Sequence, residues 1–375
     1  MSTQLRAAGL SISFALLTTG CPGGKDGEGA GATFGTLGTF TTDTGGSVDI
    51  PLTVDEGTAS TLLHCGPYTY DIIATAESIT DPAGTMVYDF NDPLATPMRV
   101  LNHDDMLPVL LPVSPDLPLT AGDWIVRMYV DSPTPVTVEC GAVYRTQEPT
   151  AGQTVDLRFV FVGVDGEVPQ LNAAEGHISE TLGATVARVN ELWADAGVSV
   201  GEIAYEDFSG DVATYNSVDG ATEFGNLLRT APQNGLREIT YFFVSAITDE
   251  DGATILGLAG GPPGIPMVGG TSKSGVIVTV GALVDGDTDL MARIMAHEGM
   301  HFMGLFHTTE KAADGFDPLS DTPECTTDAD GDGTYTASEC ASAGADNLMW
   351  WSASSTSTEL SADQAWVVQR SAAAH

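Results

Sequence analysis

The chain contains 375 residues, 42% of them hydrophobic, and is therefore long enough to form two domains with substantial cores. Its 13 basic and 51 acidic residues give a formal net charge of -38 at pH 7. This charge repels a phosphate backbone and offers no basic face to anionic lipid, which excludes nucleic acid as a partner. The acidic excess is compatible with calcium sites, with solubility outside the cell or with a salty habitat.

The N-terminus carries the pattern of an export signal. The apolar run over residues 10–17 is too short to span a bilayer, so residues 1–20 are interpreted as a signal peptide. Gly20-Cys21 resembles a bacterial lipobox, in which the cysteine becomes the lipidated first residue, although Thr18 stands where leucine is usual. Residues 21–35 are predicted to form a Gly-rich tether. We expect an exported protein held at the bacterial cell envelope or surface only by a lipid anchor, or simply secreted.

Residues 36–147 consist of short alternating apolar and polar runs separated by turn residues. The clearest runs, over 48–54 and 124–130, have the period of two that is typical of half-buried strands. The sequence therefore predicts an antiparallel β-sandwich, joined to a second domain by a linker over 146–153. Its role stays open between binding a surface or substrate, covering a cleft as a pro-region and acting as a spacer.

Residues 152–375 alternate between strand and helix patterns, which predicts a mixed α/β (α+β) sheet domain. The predicted elements are a strand over 155–164, a helix over 173–196, a strand over 200–206, a helix over 221–230, and strands over 239–247 and 275–280. In the first helix, Ile178, Leu182 and Trp193 belong to an apolar stripe with spacings of three and four, which we expect to pack on the sheet.

The most specific pattern of the chain reads H-E-x-x-H-x-x-G-x-x-H and begins at His297. His297 and His301 are four residues apart and share one face of a helix. His307 would lie about 15 Å further along a straight axis, so the chain must turn back. Gly304 is the residue able to end the helix in a left-handed conformation. The sequence predicts a zinc ion held by the three histidines, with Glu298 left free as a general base.

Two further signals define the helices around this motif. Asp287 or Thr288 can cap the start of the motif helix. Ser361 and Gln364 have the spacing of a capping box, which predicts a closing helix behind the site.

The extended motif resembles the signature of the metzincin zinc endopeptidases, in which a methionine-containing turn follows. Residues 346–351, with Met349, look like that turn, and residues 304–308 and 321–323 look like the pappalysin-like branch. The resemblance implies a metzincin-like zinc peptidase domain over 152–375, which hydrolyses peptide bonds of a protein or peptide substrate.

The same resemblance implies that the loop over 257–270 borders the cleft, where an extended peptide adds itself as a strand. Met349 would supply an apolar floor. Many relatives place a tyrosine two residues after the turn methionine, whereas this chain has Trp351, whose indole cannot ionise like a phenol. Two alternatives therefore stay open: a catalytically attenuated adhesion or binding lipoprotein with a structural metal site, and a zinc hydrolase of a non-peptide bond.

A second metal motif lies between the third histidine and the turn. Its spacing fits a calcium loop, with three carboxylates, a glycine for the bend, a backbone carbonyl and a bidentate glutamate: Asp328, Asp330, Asp332, Gly333, Thr334 and Glu339. The flanking helices of such loops are missing. The sequence predicts a Ca²⁺ site here, and an acidic turn without an ion is the alternative.

Four cysteines remain if Cys21 carries lipid. An even number in an exported chain indicates disulfides, and the preferred pairs, each within one domain, are Cys65 with Cys140 and Cys325 with Cys340. Three connectivities are possible. A rival interpretation makes the Cys65 thiolate an inhibitory ligand of the zinc, as in some metzincins.

Overall fold

The computed structural model describes residues 31–66, 72–102, 105–150, 152–233, 235–249, 252–353 and 356–375. The predicted signal peptide, Cys21 and most of the predicted tether lie outside these residues. Residues 31–375 belong to one compact unit. Throughout the described ranges, no helix combines the length and the hydropathy that crossing a membrane requires.

The N-terminal part of the described chain consists of strands. In order these are Ala32–Thr41 (β1), Ser47–Val54 (β2), Ser60–Gly66 (β3), Ala74–Thr80 (β4), Met86–Asp89 (β5), Leu107–Leu111 (β6), Gly122–Val130 (β7) and Thr137–Arg145 (β8). They form two four-stranded sheets with the orders β1-β8-β3-β6 and β2-β7-β4-β5, and their paired strands are antiparallel. The antiparallel architecture predicted from the sequence is confirmed, and β1 begins inside the segment assigned to the tether.

The alternation of apolar and polar residues explains why these segments form strands. In β2, Ile50, Leu52 and Val54 are buried while the residues between them are exposed. Cys65 of β3 lies directly opposite Cys140 of β8, and a disulfide joins them. The structure therefore has the pairing that the sequence favoured, and a thiolate of Cys65 is not available to a metal.

The C-terminal part alternates strands and helices. In order these are Gln153–Phe161 (β9), Glu180–Trp193 (α1), Val198–Asp207 (β10), Val212–Tyr215 (α2), Ser217–Asp219 (β11), Gly220–Leu228 (α3), Ile239–Val244 (β12), Ala246–Thr248 (β13), Gly257–Ala259 (β14), Val276–Thr279 (β15), Gly281–Val284 (α4), Thr288–Phe302 (α5) and Ala362–Arg370 (α6). The main sheet has the order β10-β9-β12-β15-β14, with four parallel strands and an antiparallel edge strand, β14.

This mixed sheet confirms the predicted α/β character, with two corrections. The predicted strand over 239–247 is divided, because β13 pairs with β11 in a separate two-stranded sheet. The predicted helix over 173–196 is shorter, because the Ser179 hydroxyl accepts a hydrogen bond from Leu182 N and starts α1 at Glu180. Ile178 therefore lies in a preceding 3-10 turn and is 57% exposed, so it is not part of the apolar stripe.

Helix α5 is fixed to its surroundings by buried hydrogen bonds to its own carbonyls. The Tyr241 hydroxyl of β12 donates to Met295 O at 2.8 Å, and the Trp193 indole of α1 donates to Ala296 O at 3.3 Å. Gly299 makes this contact possible, because a Cβ there would lie 2.7 Å from the Trp193 ring. The motif helix is therefore held rigidly between α1 and the sheet.

Candidate metal centre

The histidine motif adopts the helix and turn that its sequence predicts. Asp287 caps α5, because its carboxylate accepts a hydrogen bond from Leu290 N at 2.8 Å. The helix ends at Phe302, and Gly304 follows with a positive φ of 111°. This turn brings His307 back towards His297 and His301 on α5.

The three imidazoles converge on one point. His297 Nε2 lies 3.2 Å and His301 Nε2 lies 3.0 Å from His307 Nε2. Nitrogens about 2.0–2.1 Å from a tetrahedral ion are about 3.3 Å apart, so the observed spacing fits one metal ion. This group could hold a metal, and its three nitrogen donors are compatible with zinc.

Each imidazole is oriented by a hydrogen bond at its second nitrogen. His297 Nδ1 lies 2.7 Å from Leu348 O, and His301 Nδ1 lies 2.7 Å from Leu305 O. A carbonyl oxygen only accepts, so each Nδ1 carries the proton and each Nε2 keeps its lone pair for a metal.

The third imidazole has a different partner. His307 Nδ1 lies 2.9 Å from the Glu310 carboxylate, which is partly exposed. Sequence reasoning missed Glu310. A carboxylate three residues after the third histidine is a visible signal, but only the conformation of the loop brings the two side chains together.

Burial controls protonation at the centre. It lowers the pKa of His297 to about 3, with the neighbouring His307 acting in the same direction, and it lowers the pKa of His301 well below the ordinary value. Both rings are therefore neutral at pH 7. Burial also raises the pKa of Glu298 to about 8, although the Ala259 N–H, which donates to its carboxylate, lowers it in part.

The edge strand β14 lies directly against Glu298. A Cβ on Gly257 would lie 2.8 Å from both Glu298 Cγ and Ile294 Cγ2. Glycine is therefore required at residue 257 for the strand to approach α5 this closely. The loop expected to border the cleft does so through Gly257, Leu258 and Ala259.

The turn at residues 346–351 is connected to both the site and α6. The side chains of Asn347 and Gln364 exchange two hydrogen bonds, at 2.8 and 3.0 Å, and Met349 N donates to Asn347 Oδ1 at 2.8 Å. Gln364 also completes the predicted capping box with Ser361. The start of α6 thus fixes the turn, whose Leu348 carbonyl orients His297. The Met349 side chain is completely buried.

A cleft of about 360 Å³ opens over the histidines and Glu298. Its walls are largely apolar and include Leu101, Ile255, Leu258, Pro262, Phe306 and Trp351. The Trp351 indole N–H donates to Tyr335 O at 2.7 Å. Because an indole has one donor only, Trp351 contributes a surface to the cleft and no hydrogen bond.

The acidic loop, residues 328–339, brings a second group of carboxylates together. Oxygens of Asp328, Asp330 and Asp332 lie within 4.8 Å of one another, and all three carboxylates accept hydrogen bonds from backbone N–H groups of the loop. Glu339 closes the loop by accepting from Ala329 N at 2.8 Å and Thr336 N at 2.9 Å. The Thr336 hydroxyl also donates to this carboxylate at 2.7 Å, and this bond, followed by those from the Thr336 and Ala329 N–H groups, lowers the pKa of Glu339 to about 2.

A disulfide between Cys325 and Cys340 joins the ends of this loop. It is again the pairing that the sequence favoured. Two disulfides in one chain are typical of an extracellular or periplasmic protein, because the cytosol keeps thiols reduced.

Comparisons with known proteins yield only weak likenesses. No protein-family model and no curated protein match the chain. Among solved structures, metalloproteinase-II from Bacteroides fragilis is matched with a TM-score of 0.25 and 13% identity over 48% of this chain and 59% of that one. The VP2 subviral particle of infectious bursal disease virus is matched with a TM-score of 0.18 and 14% identity, over 30% and 31% of the two chains. The chain thus spans less than two thirds of either structure, and likenesses this weak carry no argument.

Proposed function

We propose that the chain is an exported zinc-dependent endopeptidase of the metzincin type, from the pappalysin-like branch. The observation that carries the proposal is the convergence of His297, His301 and His307 beside Glu298 in one open cleft. Neutral, oriented imidazoles are the donors that zinc prefers. A site that only bound metal would have no use for a carboxylate placed as a general base.

Each side chain of the site would have its own role in peptide-bond hydrolysis. His297, His301 and His307 would hold the ion, which when bound acidifies water and polarises a carbonyl. The positive charge of a bound ion would lower the pKa of Glu298 from its value of about 8, so that the ionised carboxylate would accept the proton of the attacking water and deliver it to the leaving amine. The Ala259 N–H holds that carboxylate in place, and the apolar walls restrict competing water.

The edge strand supports a protein or peptide as the substrate. β14 is the last strand in the order of the main sheet and lines the cleft. An extended peptide that pairs with β14 would carry its scissile bond past Glu298, and backbone hydrogen bonds would hold it without regard to sequence. The strong negative charge of the chain argues against nucleic acid as a substrate.

Two further features belong to this proposal. The acidic loop would bind Ca²⁺ through Asp328, Asp330, Asp332, the Thr334 carbonyl and Glu339, supported by the close approach of the three aspartates. A lipid on Cys21 would anchor the protein at the cell envelope, supported by its lipobox-like sequence and by the disulfides.

One observation favours a second candidate, a binding lipoprotein with a structural metal site. The Trp351 indole N–H is already bonded to Tyr335 O, so no group at this position assists a transition state. The two candidates differ in whether Glu298 takes part in a reaction.

The test is Glu298→Ala in zinc-loaded protein. We expect the variant to keep one zinc per chain, measured by mass spectrometry, and to lose cleavage of an unfolded protein such as casein by a factor of about 10² to 10⁴. Glu324→Ala, a substitution of an exposed glutamate that does not line the cleft, should change neither quantity. Zinc-loaded native protein that cleaves nothing would contradict the peptidase and favour the binding protein.

A further inference from the structure

We infer that the N-terminal β-sandwich is a permanent part of the catalytic unit and that its residue Leu101 forms a wall of the cleft that selects bulky apolar side chains of the substrate. The selection of substrate rests on the proposed function, whereas the permanence of the sandwich does not. Leu101 lies in the connection between β5 and β6, outside the domain that carries the histidine motif.

Leu101 contributes to the same cleft as the metal centre. Among the described residues that line this cleft, it alone comes from the N-terminal part of the chain. Its side chain is half-buried, so part of its apolar surface remains to be covered. An apolar substrate side chain that packs on it would remove that surface from water.

Anchors on both sides of Leu101 keep it in place. On one side, the Arg99 guanidinium donates to Phe316 O of the C-terminal part at 2.9 Å, and to carbonyls of its own loop. On the other side, Asn102 accepts a hydrogen bond from Ala76 N of β4 at 2.7 Å and donates to the Tyr88 hydroxyl. Leu101 is therefore a fixed wall and not the tip of a free loop.

Buried polar contacts attach the following segment to the C-terminal part. The Asp105 carboxylate accepts a hydrogen bond from Ser272 Oγ at 2.6 Å and forms an ion pair with Arg229, in a place where Asp105 is only 8% exposed. Leu110 of β6 lies against Gly304, the residue that turns the chain towards His307, and a Cβ on Gly304 would collide with it. The sandwich thus contacts the turn that completes the metal centre.

A second set of contacts joins the other end of the sandwich to the C-terminal residues. Arg145, the last residue of β8, is buried and donates to Ser371 O and Ala374 O, both at 2.7 Å. The hydroxyl of Ser60 in β3 donates to Arg370 O at 2.5 Å. One continuous cluster of buried apolar residues also runs from Ala32 to Ala374.

These contacts decide between the roles that the sequence leaves open for the sandwich. Removal of a pro-segment would take the Asp105 carboxylate away from Arg229 and Ser272, and would expose the shared cluster of buried apolar residues to water. Loss of a largely buried ion pair and of buried apolar contacts would destabilise what remains. A spacer or a removable cover would not share a hydrophobic core with the catalytic helix.

The selecting role is tested with Leu101→Ala in the zinc-loaded full chain, with Leu94→Ala as control, since Leu94 lies in the same connection but is 48% exposed. Digestion of a peptide library should show a preference for bulky apolar side chains at one subsite. Leu101→Ala should reduce that preference about 10-fold relative to alanine, while Leu94→Ala leaves it unchanged. Active protein whose preference is the same in Leu101→Ala would overturn the inference and leave the peptidase standing.

A binding measurement decides the same point without turnover. Calorimetry with leucine hydroxamate and alanine hydroxamate should show that the native protein prefers the leucine compound and that Leu101→Ala loses this preference. Native protein that binds both compounds equally would overturn the role of Leu101. Native protein that discriminates but cleaves no peptide would instead contradict only the peptidase.

Permanence is tested by a specific protease site introduced within residues 146–150 of the full chain. After cleavage, the two fragments should co-elute in gel filtration, unfold in one transition and keep peptidase activity within twofold. Fragments that separate, or activity that rises when they do, would show that the sandwich is a removable cover.

Discussion

The histidine centre and the acidic loop both gather metal-ligand atoms, but they do so in opposite ways. His297 is fixed by a distant part of the fold, the turn at Leu348 and the helix α6 behind it, whereas His301 and His307 are oriented by residues close to them in the chain. The acidic loop is fixed by its own backbone N–H groups. The pKa values of the two glutamates differ in the same way: burial raises the pKa of Glu298 to about 8, whereas hydrogen bonds to the partly exposed carboxylate of Glu339 lower its pKa to about 2.

The two sites therefore depend on different parts of the sequence for their geometry. The geometry of the acidic loop follows from residues within 12 positions of sequence, so it should tolerate changes elsewhere in the chain. The geometry of the histidine centre depends on contacts between segments up to 51 residues apart, such as His297 with Leu348. Substitutions in each region therefore test whether the two sites are independent.

The largest effect is expected for His301→Ala, which removes one of the three proposed zinc ligands. Zinc content should fall from about one ion per chain to none, and casein cleavage should disappear with it. The calcium response of the acidic loop should persist. His177→Ala is the matched control, since His177 lies outside the histidine group, and it should keep both zinc and activity. Zinc retained by His301→Ala at native affinity would contradict the three-histidine site.

Asp317 is a buried carboxyl group outside both sites whose pKa, like that of Glu298, is raised by burial. Burial raises its pKa from 3.8 to about 7; the nearby Asp321 acts in the same direction, while Arg99 and a hydrogen bond from Thr322 act against it. The folded state therefore binds this proton more tightly than the unfolded state, and Asp317 costs stability as the pH rises from about 4 to about 7.

Asp317→Asn removes this titration and keeps the shape of the side chain. Relative to the native chain, the variant should gain stability between pH 4 and pH 8, with an upper bound of about 4 kcal/mol. Urea unfolding at both pH values measures the difference, and the exposed Asp314→Asn serves as control. A difference that does not vary with pH would mean that Asp317 does not hold its proton near neutrality.

A smaller effect is expected for Glu310→Gln. The change keeps the hydrogen bond to His307 but removes the negative charge that makes the ring a stronger donor, so zinc affinity should fall about 10-fold to 100-fold. Competition with a chromophoric chelator measures the affinity. Glu324→Gln provides the control, and equal affinities in all three proteins would show that the charge of Glu310 does not act on the site.

The smallest effect is expected in the acidic loop. Saturating Ca²⁺ should raise the Tm of the native chain by about 5 °C, and Asp330→Asn should abolish most of this rise. The zinc content should not change, because Asp330 contributes only to its own loop. Asp314→Asn should respond to Ca²⁺ like the native chain, and an unchanged response in Asp330→Asn would contradict the calcium site.

Much of the fold was predictable because the local pattern and the tertiary environment agree. The alternation over 48–54 became β2, and the capping residues Asp287 and Ser361 begin α5 and α6. Where a prediction of an element was wrong, a local hydrogen bond outweighed the apolar periodicity. Ile178 fits the helical period of α1, but the cap at the Ser179 hydroxyl makes that helix begin only at Glu180 and leaves Ile178 exposed.

Some residues of the candidate site could likewise be predicted from the sequence, and others could not. The spacing of the histidines is enough to predict that the three rings converge, because helix geometry places residues four apart on one face and glycine permits the turn. The contact of Glu310 with His307 and the hydrogen bond from Trp351 to Tyr335 could not be predicted from the sequence, because both depend on the conformation of loops.

The sequence by itself determined which residues are able to bind metal, which segments become strands and helices, and which cysteines are favoured to pair, because each of these follows from the chemistry or spacing of nearby residues. Only the tertiary structure decided that Gly257 brings the edge strand against Glu298 and that Leu101 of the sandwich reaches the cleft. Those contacts join segments that are far apart in the chain, and no local pattern encodes the packing that brings them together.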